Sequence, residues 1–290
     1  MRHLVAYIFL IVWLTACNEN GKKEPGIITS DGVKIAYEKC GQGDTAILLV
    51  HGWCINKEYW ESQRKFFCPR YTVVTIDLPG FGKSGTNRTD WSFDAYTEDI
   101  KNVIRQLGLK KVILVGHSMS GDIVLNMDNK YPSLLAGIVG IDNLHEPGSV
   151  YTDQRNKEND AFFRMLSATF DSTVKLFMAP YFFQPSTDSS IVNRVMNDIY
   201  SANASIATSV LRAQTLISQK EKPLMQGLSH KLYLINSDVT PVRADSLLKY
   251  CRKGFQAELV PATGHYPMLE KPELFNAALQ KVIGEILAAQ

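Results

Sequence analysis

The chain has 290 residues, 45% of them hydrophobic and 21% charged, an ordinary globular composition with ample apolar material for a large core. Lys and Arg number 31 against 29 Asp and Glu, a formal net charge of +2. That balance, with no long run of one sign, leaves no electrostatic footprint for nucleic acid and no reason to expect a polyanionic substrate.

The first residues are a different material. "MRHLVAYIFLIVWLTAC" has a basic start at Arg2 and His3, an apolar run from Leu4 to Leu14, and then small residues. Roughly 20 apolar residues are needed for a membrane-spanning helix, so this run is too short and fits a secretory signal peptide over 1–16. Its ending "LTAC" resembles the lipobox of bacterial lipoproteins. That resemblance implies cleavage before Cys17 and lipid attachment to its sulfur. The protein would then be exported and held at a membrane of the bacterial cell envelope by its N-terminus. "NENGKKEPG" reads as a polar tether over 17–25, with too little apolar content to fold. A folded domain is expected over 26–290.

Short apolar runs then alternate with amphipathic ones. "VKIAYEKCG" is an early strand after the Asp31-Gly32 turn, and "TAILLVHG" is a buried one, near-continuously apolar as a sheet covered on both faces requires. A helix is expected near Tyr59 to Phe67. "YTVVTIDLPG" and "KKVILVGHS" follow as strands, with "AYTEDIKNVIRQLG" between them as a helix closed by Gly108. "LAGIVGIDN" is the next strand, "KLYLINSD" and "FQAELVPATGH" are the last two, and "PELFNAALQKVIGEILAA" is a C-terminal helix. Such alternation implies an α/β fold with a mostly parallel, doubly wound sheet, whose chemistry sits beyond the carboxyl ends of the strands. From about Leu144 to Ser229 no convincing strand occurs, which reads as a helical insertion. Its Phe162, Phe163, Met165, Phe170, Phe177, Met178, Tyr181, Phe182 and Phe183 either pack the inserted helices together or face an apolar substrate pocket.

Besides Cys17, the cysteines are Cys40, Cys54, Cys68 and Cys251. An exported chain can form disulfides, but Cys54 and Cys68 flank the helix expected near Tyr59, which would hold them far apart. No specific bridge is expected, and the spacings match no zinc pattern.

"VILVGHSMSGDIVL" opens as a strand and closes as a helix, with Ser118 at the turn between them. A nucleophile elbow has this form, with Gly-x-Ser-x-Gly across a strained turn and small residues where strand and helix approach closely. Gly116 fills the first place; Ser120 occupies the second, with Gly121 following. A serine needs a base, and His265 in "ATGHYP" follows the last strand at the sheet's carboxyl edge. His51, in "LLVHGWC", reads as a brace for its loop. The glycine after it lets following N–H groups turn into the site, so an oxyanion hole is expected from the Trp53 N–H and the Met119 N–H.

"HGW", "DLPGFGKS", "GHSMSG", "INSDVTP" and "GHYP" together resemble the successive landmarks of the α/β-hydrolases, in that family's order. The resemblance covers essentially the whole mature chain. It implies an eight-stranded sheet, a helical lid inserted after strand 6 at about 144–229, and a Ser-His-Asp triad of Ser118, His265 and Asp238. Two departures accompany it. "INSDVTP" lacks the glycine common in the family's acid loop, and Asp142 ends the sixth strand where some relatives place their acid, so Asp142 is the alternative. Asp77 is expected to shape its turn. His145 in "DNLHE" reads as a lid-base or pocket residue; with no further ligands nearby, no metal site is expected. The implied enzyme is a serine hydrolase of small carboxylic esters, working through an acyl-enzyme without a cofactor. Iminopeptidase, lactone and carbon–carbon bond hydrolysis stay open beside it, as does cofactor-free peroxidation. A ligand-binding protein of this fold with little turnover is the alternative of another class. The sequence does not fix an oligomeric state.

Overall fold

A computed structural model describes residues 23–145, 147, 152–239 and 242–290. The expected signal peptide, Cys17 and most of the expected tether lie outside the described residues. The strands are β1 (Glu24–Ser30), β2 (Val33–Cys40), β3 (Ala46–Val50), β4 (Thr72–Ile76), β5 (Val112–His117), β6 (Leu135–Ile141), β7 (Leu232–Ser237) and β8 (Phe255–Val260). They form one sheet in the order β1-β2-β4-β3-β5-β6-β7-β8. β1 and β2 pair antiparallel, as do β2 and β4; every pairing from β4 through β8 is parallel.

The middle strands are buried at every residue, which is why Val, Ile and Leu dominate them. α1 (Glu61–Phe67) follows β3, and α2 (Phe93–Gln106) follows β4. The Ser92 hydroxyl caps α2 by accepting from the Ala95 N–H, and Gly108 closes it at φ +60°. α3 (Ser120–Lys130) leaves the elbow after β5. Between β6 and β7 come α4 (Asp153–Ala168), α5 (Phe170–Thr173), α6 (Ser189–Ser201), α7 (Ala204–Ser218) and α8 (Glu221–Gln226). α9 (Ala244–Tyr250) precedes β8, and α10 (Pro267–Glu270) and α11 (Pro272–Ala288) end the chain. α1 packs with α11 and α2 packs with α3, while α7 and α8 rest on α3 at the site end of the sheet.

Two expectations change. Glu24 and Pro25, expected in the tether, are the first residues of β1, and Lys23 is tied to Glu38 by an ion pair of 2.6 Å. Cys40 and Cys68 form a disulfide with Cα atoms 5.6 Å apart, where no specific bridge was expected. The correction has a topological reason. Cys40 ends β2, which pairs with β4 at Val73, and Cys68 ends the helix that packs on β4. Residues distant in sequence are thus brought together across one corner of the sheet. Cys54 and Cys251 are free and buried.

Candidate active site

β5 ends at His117 and α3 begins at Ser120, so Ser118 must make the turn, and it does so at φ +55°. A non-glycine residue there costs about 1–2 kcal/mol, and the Ser118 N–H bond to the Ile141 carbonyl (2.9 Å) helps hold the strained turn in place. Small neighbours are a steric requirement. A Cβ on Gly116 would lie 2.4 Å from the Ser120 carbonyl oxygen, and one on Gly121 would lie 2.3 Å from the Asn143 amide nitrogen. Ser120, standing where the motif usually has glycine, is fully buried, and its hydroxyl donates to the His51 carbonyl at 2.5 Å. The extra hydroxyl therefore ties the elbow to the loop after β3.

His265 reaches Ser118 from the loop after β8. Its Nε2 lies 2.8 Å from Ser118 Oγ and its Nδ1 lies 2.6 Å from Asp142 Oδ2. The acid partner of the imidazole is thus Asp142, and the expectation of Asp238 is corrected. Asp142 follows β6 at φ +46°, a turn that carries its carboxylate over the end of β7, where Oδ1 also accepts the Ser237 N–H at 2.8 Å. Burial would raise this carboxyl, but hydrogen bonds from His145 and His265 hold it well below the usual carboxylate range. Asp238, the residue after β7, is exposed and accepts the Ala262 N–H at 2.9 Å. It clamps the β7 and β8 loops together and does not meet the histidine. The rest of the histidine's setting was missed from sequence. His117 Nε2 lies 2.7 Å from the His265 carbonyl, and burial lowers its pKa to about 3, so it is a neutral donor. Phe182 stacks on the His265 ring at 5.5 Å, and its carbonyl accepts the His265 N–H at 2.8 Å. The only sequence signals were His117's place inside the elbow motif and Phe182's inclusion among the candidate pocket aromatics.

The loop after β3 closes the other side. A Cβ on Gly52 would lie 3.0 Å from Ser118 Cβ, so only glycine brings this backbone so near the serine. His51 acts as the expected brace. Its Nδ1–H donates to the Gly52 carbonyl at 2.7 Å, its Nε2 accepts the Leu78 N–H at 2.9 Å, and burial holds its pKa below the ordinary value. Trp53 lines one cavity with Ser118, Met119 follows Ser118 in the chain, and the Trp53 indole donates to the Ala207 carbonyl at 2.8 Å. Asp77 accepts from the Lys57 and Lys83 N–H groups and shapes its turn as expected.

Two cavities meet at Ser118 and His265. One, about 240 Å³, is lined by Trp53, Met178, Phe182, Leu211 and Tyr266 besides the catalytic candidates. The other, about 220 Å³, is lined by Asp122, Asp142, Asn143, His145, Gln214 and Glu221. The large apolar residues of the insertion therefore divide: Met178 and Phe182 face the site, Phe163 and Phe170 are buried, and Phe177 and Tyr181 are exposed. Among the described residues no cluster of His, Cys, Asp and Glu could hold a metal, and no helix is long and apolar enough to cross a membrane.

A family model described as the alpha/beta hydrolase fold matches residues 45–272. An uncharacterized protein of Mycobacterium tuberculosis is 25% identical over 273 residues, 85% of this chain and 77% of that protein. The pimeloyl-[acyl-carrier protein] methyl ester esterase of Yersinia enterocolitica is 23% identical over 253 residues, 84% of this chain and 95% of that enzyme. Among solved structures, a thermophilic esterase from Thermogutta terrifontis superposes with a TM-score of 0.76 at 21% identity, covering 91% of this chain and 99% of that one. The matched residues span the elbow, the histidine loop and the insertion between them, and on that ground this chain belongs to the α/β-hydrolase fold family.

Proposed function

We propose that the chain is a serine hydrolase that cleaves carboxylic esters through an acyl-enzyme, with Ser118, His265 and Asp142 as its triad. The observation that carries this is the unbroken hydrogen-bonded line from Ser118 Oγ to His265 (2.8 Å) and on to Asp142 (2.6 Å). His265 takes the Ser118 proton through Nε2 as Oγ attacks the ester carbonyl. Asp142 accepts the Nδ1–H, fixes the tautomer and stabilises the imidazolium. The Trp53 and Met119 N–H groups are assigned to the oxyanion, where fixed donors are worth about 10²–10³ in kcat each. His265 then protonates the leaving alcohol and activates the water that releases the acid. The esterase names of the Yersinia and Thermogutta relatives agree with this chemistry. The test is covalent labelling by a fluorophosphonate alongside hydrolysis of aryl esters of graded acyl length. Wild type should label and turn over, and Ser118→Ala should do neither while keeping its circular dichroism. Labelling without turnover on esters, lactones or peptides would point to a binding protein of the same fold.

We also propose that the protein is exported and lipid-anchored at Cys17, supported by "LTAC" closing a short apolar run. The Cys40–Cys68 disulfide agrees with an oxidising compartment. Cys17→Ala should leave an unprocessed or unlipidated form that no longer partitions with membranes. Unchanged partitioning and precursor size would remove the anchor.

A further inference from the structure

The polar cavity beside Ser118 contains a carboxyl that the triad does not use. Asp122 lies on α3 one turn beyond Ser118, is only 3% exposed, and has no hydrogen-bond partner for its Oδ1 among the described residues. Gln214 from α7 and Glu221 from α8 face it across the same space. Burial pushes the Asp122 carboxyl well above the usual range, and the Glu221 carboxyl adds to this, while Gln214 pulls it back. Among the described residues no lysine or arginine lines the cavity. A buried carboxyl oxygen without a donor costs free energy that the fold itself does not recover. The missing component is a positively charged hydrogen-bond donor, and Ser118 and His265 line the same cavity. A group reaching Asp122 would therefore belong to the reacting molecule.

We propose that Asp122, with Gln214 and Glu221, forms a recognition site for an ammonium group carried by the substrate, one helical turn from Ser118. The substrate then has two unlike ends. One enters the cavity of Trp53, Met178, Phe182, Leu211 and Tyr266, and the other carries a protonated amine into the acidic one. Residues one turn apart on a helix have Cβ atoms about 5–6 Å apart. An amine three to five bonds from the ester carbonyl spans that distance.

This assignment rests on the ester-hydrolase chemistry proposed above, and the experiment separates the two. Two isosteric pairs are compared: β-alanine methyl ester against methyl butyrate, and aminopropyl acetate against butyl acetate. They place the amine on the acyl and alcohol sides in turn. Wild type should favour the ammonium member of at least one pair by ~10-fold or more in kcat/KM, the scale of a charge-assisted hydrogen bond. That ratio should fall toward one in Asp122→Asn and in Glu221→Gln. The second variant sits at a less buried position and carries the same test if the first does not fold. Ser118-dependent cleavage of the neutral esters with no preference in either pair would overturn the ammonium site alone. A preference that survives in both variants would overturn it as well. No Ser118-dependent cleavage of any ester would overturn both proposals.

Discussion

Asp142 and Ser118 share an uncommon feature: both are non-glycine residues held at positive φ, at +46° and +55°. Each turns a side chain off the end of a buried strand toward His265, and such strain persists where surrounding contacts over-determine it. The decisive residue-scale test is the acid. An asparagine tolerates positive φ well, so Asp142→Asn should fold while presenting the imidazole with the wrong partner for its tautomer. It should lose at least ~10²-fold in kcat, about 2.7 kcal/mol at ~1.36 kcal/mol per decade. Asp238→Asn keeps an acceptor for the Ala262 N–H on an exposed loop and should change kcat by less than about threefold. Steady-state kinetics on one ester decides between them, and the reverse pattern would return the acid to the end of β7. Sequence order favoured Asp238 because it ends the strand before the one that delivers His265. What the order cannot carry is direction. The residue after β7 points out to the β8 loop, whereas the turn after β6 sends its carboxylate across β7 to the histidine.

Elements meet at the elbow through Ser120, whose buried hydroxyl links the start of α3 to the carbonyl of His51 at the end of β3. Ser120→Ala leaves that carbonyl without its donor, so a loss of about 1–2 kcal/mol in urea-unfolding stability is expected. Fluorophosphonate labelling of Ser118 should persist in that variant, because His265 contacts Ser118 and not Ser120. Labelling abolished by Ser120→Ala would make Ser120 the nucleophile. The elements themselves were largely legible. β3 and β5 are continuous apolar runs, α2 carries a capping serine and a closing glycine, and the elbow places small residues where backbone crowds backbone. β1 was not legible: "EPGIITS" contains Pro and Gly and is half exposed at the sheet's edge, so neither alternation nor an unbroken apolar run marks it. The acidic cavity was hidden for another reason. Asp122, Gln214 and Glu221 come from three helices, and their convergence exists only once α7 and α8 rest on α3.

At the scale of the whole molecule, the disulfide and the reacting groups occupy opposite ends of the sheet. Ser118 follows the carboxyl end of β5, and Asp142 follows that of β6. Cys40 pairs beside Val73, next to the first residue of β4, and so lies at the amino end of the parallel strands. The bridge closes a loop with a sequence separation of 28. In the chain-entropy account a loop of that size contributes about 3–4 kcal/mol by restricting the unfolded chain. It encloses β3, the loop carrying Gly52 and Trp53, and α1, so the segment that supplies half of the proposed oxyanion hole is covalently fastened at its far end. Replacing both cysteines by serine should therefore lower the urea midpoint by an amount equivalent to that free energy. Ester turnover by the folded fraction should stay close to wild type, because no bond in the reacting line changes. Reductant should shift the wild-type midpoint in the same direction and leave the double-serine variant unmoved. A variant as stable as wild type would show that β2, β4 and α1 hold this corner by packing alone. A stable variant with lost turnover would instead mean that strain is transmitted along β3 to the loop at Gly52.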